Sequence, residues 1–233
     1  DDSMKADGST VDRVLAIFKR LHAKLLLANK QLLLVAEPQH EASILSDVQA
    51  VFADLPMGSE VTKFSLVPAD SKVNVAWLTS TQVSFCSKAF RTACGDHPDV
   101  AALTVLGGFL RNGFLHRVIR EQGGAYGGGA SFDGSTGAFR FYSYRDPRLT
   151  ETLSDFDASI EWMQNETHTE EALEEAILGV IGSMDKPGSP AGEAQSDFYV
   201  HLHGRSLAYR EAFRAKILAV TIAQLKQVTK TYL

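Results

Sequence analysis

The sequence predicts an α+β fold. Apolar residues recur at helical spacing over several long stretches, and other runs are rich in β-branched and aromatic residues. One of the latter, ASFDGSTGAFRFYSYRDP (130–147), has the pattern of a β-hairpin turning at GSTG. The order is mixed, which points to antiparallel hairpins with flanking helices.

Residues 1–10 are polar and expected to be flexible. A helix is expected over 11–27, with Val14, Ile17, Phe18, Leu21 and Leu25 on its apolar face. QLLLVAE (31–37) reads as a short buried strand punctuated by Pro38. Residues 40–55 return to helical period through Ile44, Val48 and Phe52, and Pro56, Gly58 and Ser59 close that helix. Strands are expected over 61–68 and 73–90. Gly95, Asp96, His97 and Pro98 mark a helix start with Asp96 as N-cap, and Val100, Leu103, Leu106, Leu110, Phe114 and Val118 line the buried face as far as residue 120. After the hairpin, residues 150–163 bury Leu153, Phe156, Ile160 and Met163. The next helix begins at a Thr with acidic residues in its first turn. Residues 186–196 read as a turn-rich break, most of 197–219 as a long helix, and Thr221 as the cap of a last one.

With 233 residues, 45% apolar and 22% charged, the chain has the composition of a globular protein with a sizeable core. A net charge of -5 argues against nucleic acid as the main partner, because phosphate binding needs a basic face. No apolar run approaches the roughly 20 residues of a membrane span. Cys86 and Cys94 are too few for a disulfide framework or a zinc ribbon and are expected to be free, partly buried thiols in a reducing compartment. The start, DDSMKADGST, lacks a leader pattern and an initiator Met, so the expectation is a single domain over 11–233 that forms part of a longer precursor.

The stretch that carries chemistry is IREQGGAYGGGASF, residues 119–132. A helix ends on Arg120, Glu121 and Gln122, and five glycines then surround Tyr126. Glycine lets the backbone take positive φ and lets a ligand chain come close. Arg brings a fixed cation with several donors and Tyr a neutral O–H donor. Together they suit a carbonyl oxygen that becomes an oxyanion in a tetrahedral intermediate. The other reading is a sharp helix-to-strand turn with Tyr126 packed upon it, and the residues alone leave both open. A phosphate loop fits poorly, since there is no GK[ST] and the glycines follow a helix instead of leading into one.

FLHRVIREQGGAYGGGASF followed by GAFRFYSYRDPRLTETLSDF resembles the C-terminal region of pitrilysin-family metallopeptidases of the presequence protease and falcilysin-like branch. The match is strongest from about residue 105 to 156. The resemblance implies a two-layer sandwich, an antiparallel sheet with helices packed on one face, as one of four related domains that close around a chamber. It implies a zinc metalloendopeptidase that degrades short unstructured peptides such as targeting peptides. Within it, Arg120 and Tyr126 would be the catalytic pair that holds the substrate and stabilises the oxyanion, and Gly123, Gly124, Ala125 and Gly127 would bind substrate. An organelle matrix or the cytoplasm is the implied location. The alternative is a non-catalytic structural or substrate-binding subunit of the same fold.

Zinc in that family is held by an inverted HxxEH motif plus a downstream Glu. This chain has no HxxEH: His168 begins HTEEA, and His40 begins HEASI. The pair His201 and His203 lacks a recruited third ligand and splays apart in a helix. No metal ligand is therefore expected here, and the resemblance assigns zinc to an N-terminal half that would be this chain's partner. Outside the glycine stretch, Arg145 and Asp146 are expected to form a structural ion pair at a turn in preference to contacting substrate, Arg117 to be either a surface residue or a partner for Glu121, Trp77 and Trp162 to lie in the core, and the Glu run at 170, 171, 174 and 175 to be a solvated helix face.

Overall fold

The computed structural model describes residues 8–56, 58 and 72–233. The chain divides into two compact units, Asp1–Val75 with Pro190–Phe198, and Ala76–Ser189 with Tyr199–Leu233.

The first unit contains helices α1 (Gly8–Leu27) and α2 (Pro38–Phe52). Pro38 opens α2, where its missing N–H costs nothing. The Lys30 ammonium donates to the carbonyls of Leu26, Ala28 and Pro56 at 2.6, 3.2 and 2.8 Å, which satisfies acceptors at the end of α1. The apolar stripe of α1 forms as its spacing predicts, but Val14, Ile17, Phe18, Leu21 and Leu25 are exposed. Residues 31–37 are not a strand. A short apolar run has no strand character of its own until a partner supplies a ladder, and none pairs with it among the described residues. The strand expected over 61–68 lies outside the described residues.

The second unit is built on a three-stranded antiparallel sheet in the order β1-β3-β2, with β1 Ser84–Arg91, β2 Gly127–Asp133 and β3 Ala138–Asp146. β1 is shorter than the run 73–90 predicts because its ladder extends only from Ser84, opposite Asp146, to Arg91, opposite Ala138. Residues 72–83 carry no regular strand, and Trp77, expected in the core, is 87% exposed there. The hairpin between β2 and β3 turns at GSTG as predicted. The Asp133 carboxylate accepts from the N–H and O–H of Ser135, and Gly137 takes φ 69°.

Phe139 and Phe141 face the helices and are fully buried, whereas Arg140, Tyr142 and Tyr144 point to the other side. Helix α3 (Val100–Leu110) is apolar all round and buried on nearly every side. It begins after Asp99, not at Asp96, and Asp99 makes no side-chain cap, because its carboxylate instead accepts from the Tyr232 hydroxyl at 2.8 Å. The close seat of α3 on β2 depends on Gly107, where a Cβ would lie 3.2 Å from Ser131 Cα.

From Arg111 to Gln122 the helix widens into a π-helix. Hydrogen bonding from i to i+5 rotates each turn relative to an α-helix. Leu115 and Ile119 thereby take the fully buried positions, and Phe114 and Val118, which an α-helical period points inward, are only half-buried. Each fully buried side chain of this size contributes roughly 1.5–3 kcal/mol.

Helix α4 (Thr150–Asn165) stacks Phe156 on Phe141 at 5.5 Å, and Met163 is fully buried beside it, while Leu153 and Ile160 are half-buried. Trp162 packs between Phe109, Phe114 and His168. Helix α5 (Glu170–Met184) starts on Thr169, whose hydroxyl accepts from Ala172 N–H, and its Glu run is exposed as expected. Helix α6 (Pro190–Leu202) begins inside the stretch read as a break, with Pro190 first. The long helix expected over most of 197–219 is interrupted: Gly204 takes φ 67° and Ser206 caps α7 (Leu207–Leu218). Thr221 and Gln224 form a reciprocal capping box at the start of α8 (Ile222–Tyr232). Cys86 is buried and Cys94 exposed, both free. Burial pushes the Cys86 thiol above its ordinary pKa and keeps it inert. The second unit is thus an antiparallel sheet with helices on one face, the α+β architecture the sequence predicts.

Candidate functional site

The glycine stretch joins the π-helix to β2 through a closed helix end. Gly124 takes φ 77°, a conformation in which a side chain is strained. Gly124 N–H donates to Arg120 O at 3.2 Å and Ala125 N–H to Ile119 O at 3.1 Å, which satisfies the last carbonyls. Tyr126 N–H then donates to Arg145 O at 3.3 Å, and β2 begins at Gly127. A Cβ on Gly127 would lie 2.5 Å from the Tyr144 hydroxyl oxygen, so that position has room only for hydrogen.

This geometry turns both candidate side chains outward. Arg120 is exposed at the helix end, and its guanidinium has no partner among the described residues. Tyr126 is 64% exposed, with its ring 5.6 Å from that of Tyr144. The remaining predicted positions divide: Gly124 is exposed, Gly123 and Gly127 are buried, and the Ala125 methyl belongs to the core. The helix and loop thus bring an unpaired guanidinium and a phenol to the two ends of one turn. A group with several N–H donors and a neutral O–H donor can bind a peptide carbonyl and the oxyanion it becomes.

What holds the turn was not among the sequence candidates. Asp146, fully buried, does not pair with Arg145; its partner is Arg148, at 3.8 Å from Nε. Asp146 Oδ1 accepts from Arg148 N–H at 2.9 Å, and Oδ2 from the Thr152 hydroxyl at 2.8 Å. Arg148 also pairs with Asp155 at 3.0 Å and donates to Val118 O at 3.3 Å, an acceptor in the last turns of the π-helix. A network from β3 and α4 thereby grips the helix end that carries Arg120. Glu121 pairs with His116 Nδ1 at 3.3 Å, not with Arg117; the spacing of five residues is the one a π-helix aligns.

The reason Arg145 escapes the expected pair is a β-bulge. Cys86 stands opposite Ser143 and Ser84 opposite Asp146, so Tyr144 and Arg145 together face Phe85. Arg145 has φ 50°, a non-glycine conformation that costs of order 1–3 kcal/mol. Its guanidinium lies over the Tyr126 ring, 5.6 Å from the centroid. The sequence did carry a signal for this: the inward alternation Phe139, Phe141, Ser143 runs on to Arg145, a charged residue in a core position.

Among the described residues, no group of three His, Cys, Asp or Glu side chains could hold a metal ion. Nor, among the described residues, is any helix long and apolar enough to cross a membrane.

The family model described as the PreP C-terminal domain matches residues 74–230. The mitochondrial presequence protease of Danio rerio is 41% identical over 151 residues, covering 65% of this chain and 14% of that protein. That of Saccharomyces cerevisiae is 34% identical over 180 residues, covering 77% of this chain and 18% of that protein. The chain therefore spans less than a fifth of the length of these curated relatives. Two solved structures are similar in fold. Pitrilysin has a TM-score of 0.59 at 18% identity, over 84% of this chain and 22% of that one. A structure described as the peptidase M16 inactive domain from Pseudomonas fluorescens has a TM-score of 0.63 at 23% identity, over 83% of this chain and 48% of that one. The family match takes in more than half of the sequence and the whole of the glycine turn, and the chain belongs to the family of presequence protease C-terminal domains.

Proposed function

We propose that this chain is the C-terminal part of a zinc metalloendopeptidase that degrades short unstructured peptides, and that Arg120 and Tyr126 are its contribution to the reaction. The observation that carries the reading is the outward presentation of an unpaired Arg120 and an exposed Tyr126 at the two ends of a turn that a partly buried ion network holds in place. The Arg120 guanidinium donates to main-chain carbonyls of the bound peptide and orients it. The Tyr126 hydroxyl donates to the scissile carbonyl oxygen, and that hydrogen bond strengthens as negative charge develops there. Gly123, Gly124, Ala125 and Gly127 keep the turn narrow, so that a peptide main chain can approach it.

The described residues do not suit zinc, since no three candidate ligands converge. The metal and the water it would activate are assigned to an N-terminal partner half. The relatives' length supports such a partner, because each is more than five times the matched segment. The relatives are named mitochondrial, which supports an organelle matrix as the location.

A scaffold of the same fold without a catalytic role is the competing reading, and the Pseudomonas structure's description as an inactive domain gives it some footing. That description equally suits a domain that contributes side chains but no metal. The purified chain should contain no stoichiometric zinc and show no peptidase activity, and activity should appear when it is assembled with the partner half. Tight zinc binding by the chain alone would overturn this division of labour.

A further inference from the structure

The bulge in β3 decides which side chains face outward beside Tyr126. Strict alternation from Phe139, Phe141 and Ser143 would turn residue 145 inward and residue 146 outward. The extra residue reverses that order, so that Asp146 is buried and Tyr144 and Arg145 are both exposed. In such a bulge the residue with positive φ is ordinarily glycine, which adopts it without strain. Here it is Arg145, at φ 50°. Its carbonyl accepts from Tyr126 N–H, and its guanidinium lies 5.6 Å from the centre of the Tyr126 ring. The nearest carboxylate in sequence, Asp146, is engaged inside the fold by Thr152 and Arg148. Among the described residues Arg145 forms no ion pair. A bulge needed only for shape would be filled with less strain by glycine; this one carries a cation with free donors over the ring that the reading above assigns to the substrate.

We propose that Arg145 is a substrate-binding residue that receives a carboxylate of the peptide, the side chain of a Glu or Asp close to the scissile bond. The proposal rests on the reading that Tyr126 touches the substrate. A guanidinium presents two parallel N–H donors that match the two oxygens of a carboxylate, and stacking on Tyr126 fixes its plane. The bulge, and not a regular strand, is what aims it there.

The test uses the chain assembled with its zinc-bearing half and pairs of peptides in which one Glu, or a matching Gln, is walked through the residues flanking the cleavage site. Arg145→Gly suits the left-handed backbone, so it removes the side chain while keeping the bulge, and its Tm should equal or exceed that of the parent. At one position the parent should prefer Glu over Gln by about 10-fold in kcat/KM, the scale of one charge-assisted hydrogen bond. The preference should fall to about 1 in Arg145→Gly and be reduced but not abolished in Arg145→Lys, which keeps the charge and loses the planar fork. A Glu-to-Gln ratio that is the same in the parent and in Arg145→Gly at every position overturns the proposal. Tyr126→Phe separates the two claims: unchanged kcat with the Glu preference intact would remove Tyr126 from catalysis and still support Arg145 as the carboxylate site.

Discussion

The guanidinium of Arg148 fills the space that a side chain on Gly123 would need: a Cβ built there lies 2.0 Å from Arg148 Nη2 and 2.6 Å from Ile119 O. The first residue of the glycine turn and the ion network beneath it therefore exclude any alternative to one another. Gly123→Ala should destabilise the domain by about 1–3 kcal/mol, as overpacking at a rigid site does. Combining it with Arg148→Ala should cost less than the sum of the two single changes, because one clash is removed, though the clash with the Ile119 carbonyl stays. Chemical denaturation of the four proteins of this cycle checks the coupling, and strict additivity would contradict it.

Arg148 also neutralises Asp146, which is fully buried. Arg148→Met keeps much of the stem's packing but leaves that carboxylate with only its Thr152 and backbone donors. A cost of about 3 kcal/mol is expected, the low end for breaking a buried pair. In a domain of this size it lowers Tm by about 6–12 °C in a thermal scan. A shift under one degree would mean that the network is not what secures the helix end.

The hairpin turn gives a pH dependence of known sign. The Ser135 hydroxyl, the largest influence, and the Ser135 and Thr136 backbone amides hold the Asp133 carboxyl below its ordinary pKa. A group depressed on folding stabilises the fold above its unfolded value, about pH 4, and that contribution is lost as the pH falls through the folded value. The parent should therefore exceed Ser135→Ala in stability at pH 7, with the gap narrowing on acidification below about pH 4. Denaturant midpoints across that range check it, and a gap that widens in acid would reverse the sign.

Much of the second unit was legible because its patterns are local. The hairpin announced itself in GSTG between alternating strands, α5 and α8 in their threonine caps, and α4 in its period of apolar residues. The π-helix was not legible, since its residues also fit an α-helical period, and only packing distinguishes Leu115 and Ile119 from Phe114 and Val118. The apolar runs at 31–37 and 73–83 misled, because a strand exists only where a partner offers a ladder. At the site, Arg120, Tyr126 and the glycines stood out by composition. Arg148 and Asp155 did not, since they reach the turn from a different element and nothing in their spacing points to it. Arg145 departs from the pairing that its sequence neighbour Asp146 suggests for one reason: a bulge shifts the strand's phase by one residue.

The catalytic role of the glycine turn is tested by the turnover number of Tyr126→Phe in the assembled enzyme, measured on a short unstructured peptide at saturation. The change removes one hydroxyl from an exposed ring and leaves its contact with Tyr144 in place, so folding should be unaffected. If the hydroxyl donates to the developing oxyanion, kcat falls by about 10²-fold or more while Tm stays the same. A kcat equal to that of the parent would remove the Tyr126 hydroxyl from the reaction and leave the glycine turn as an element of structure alone.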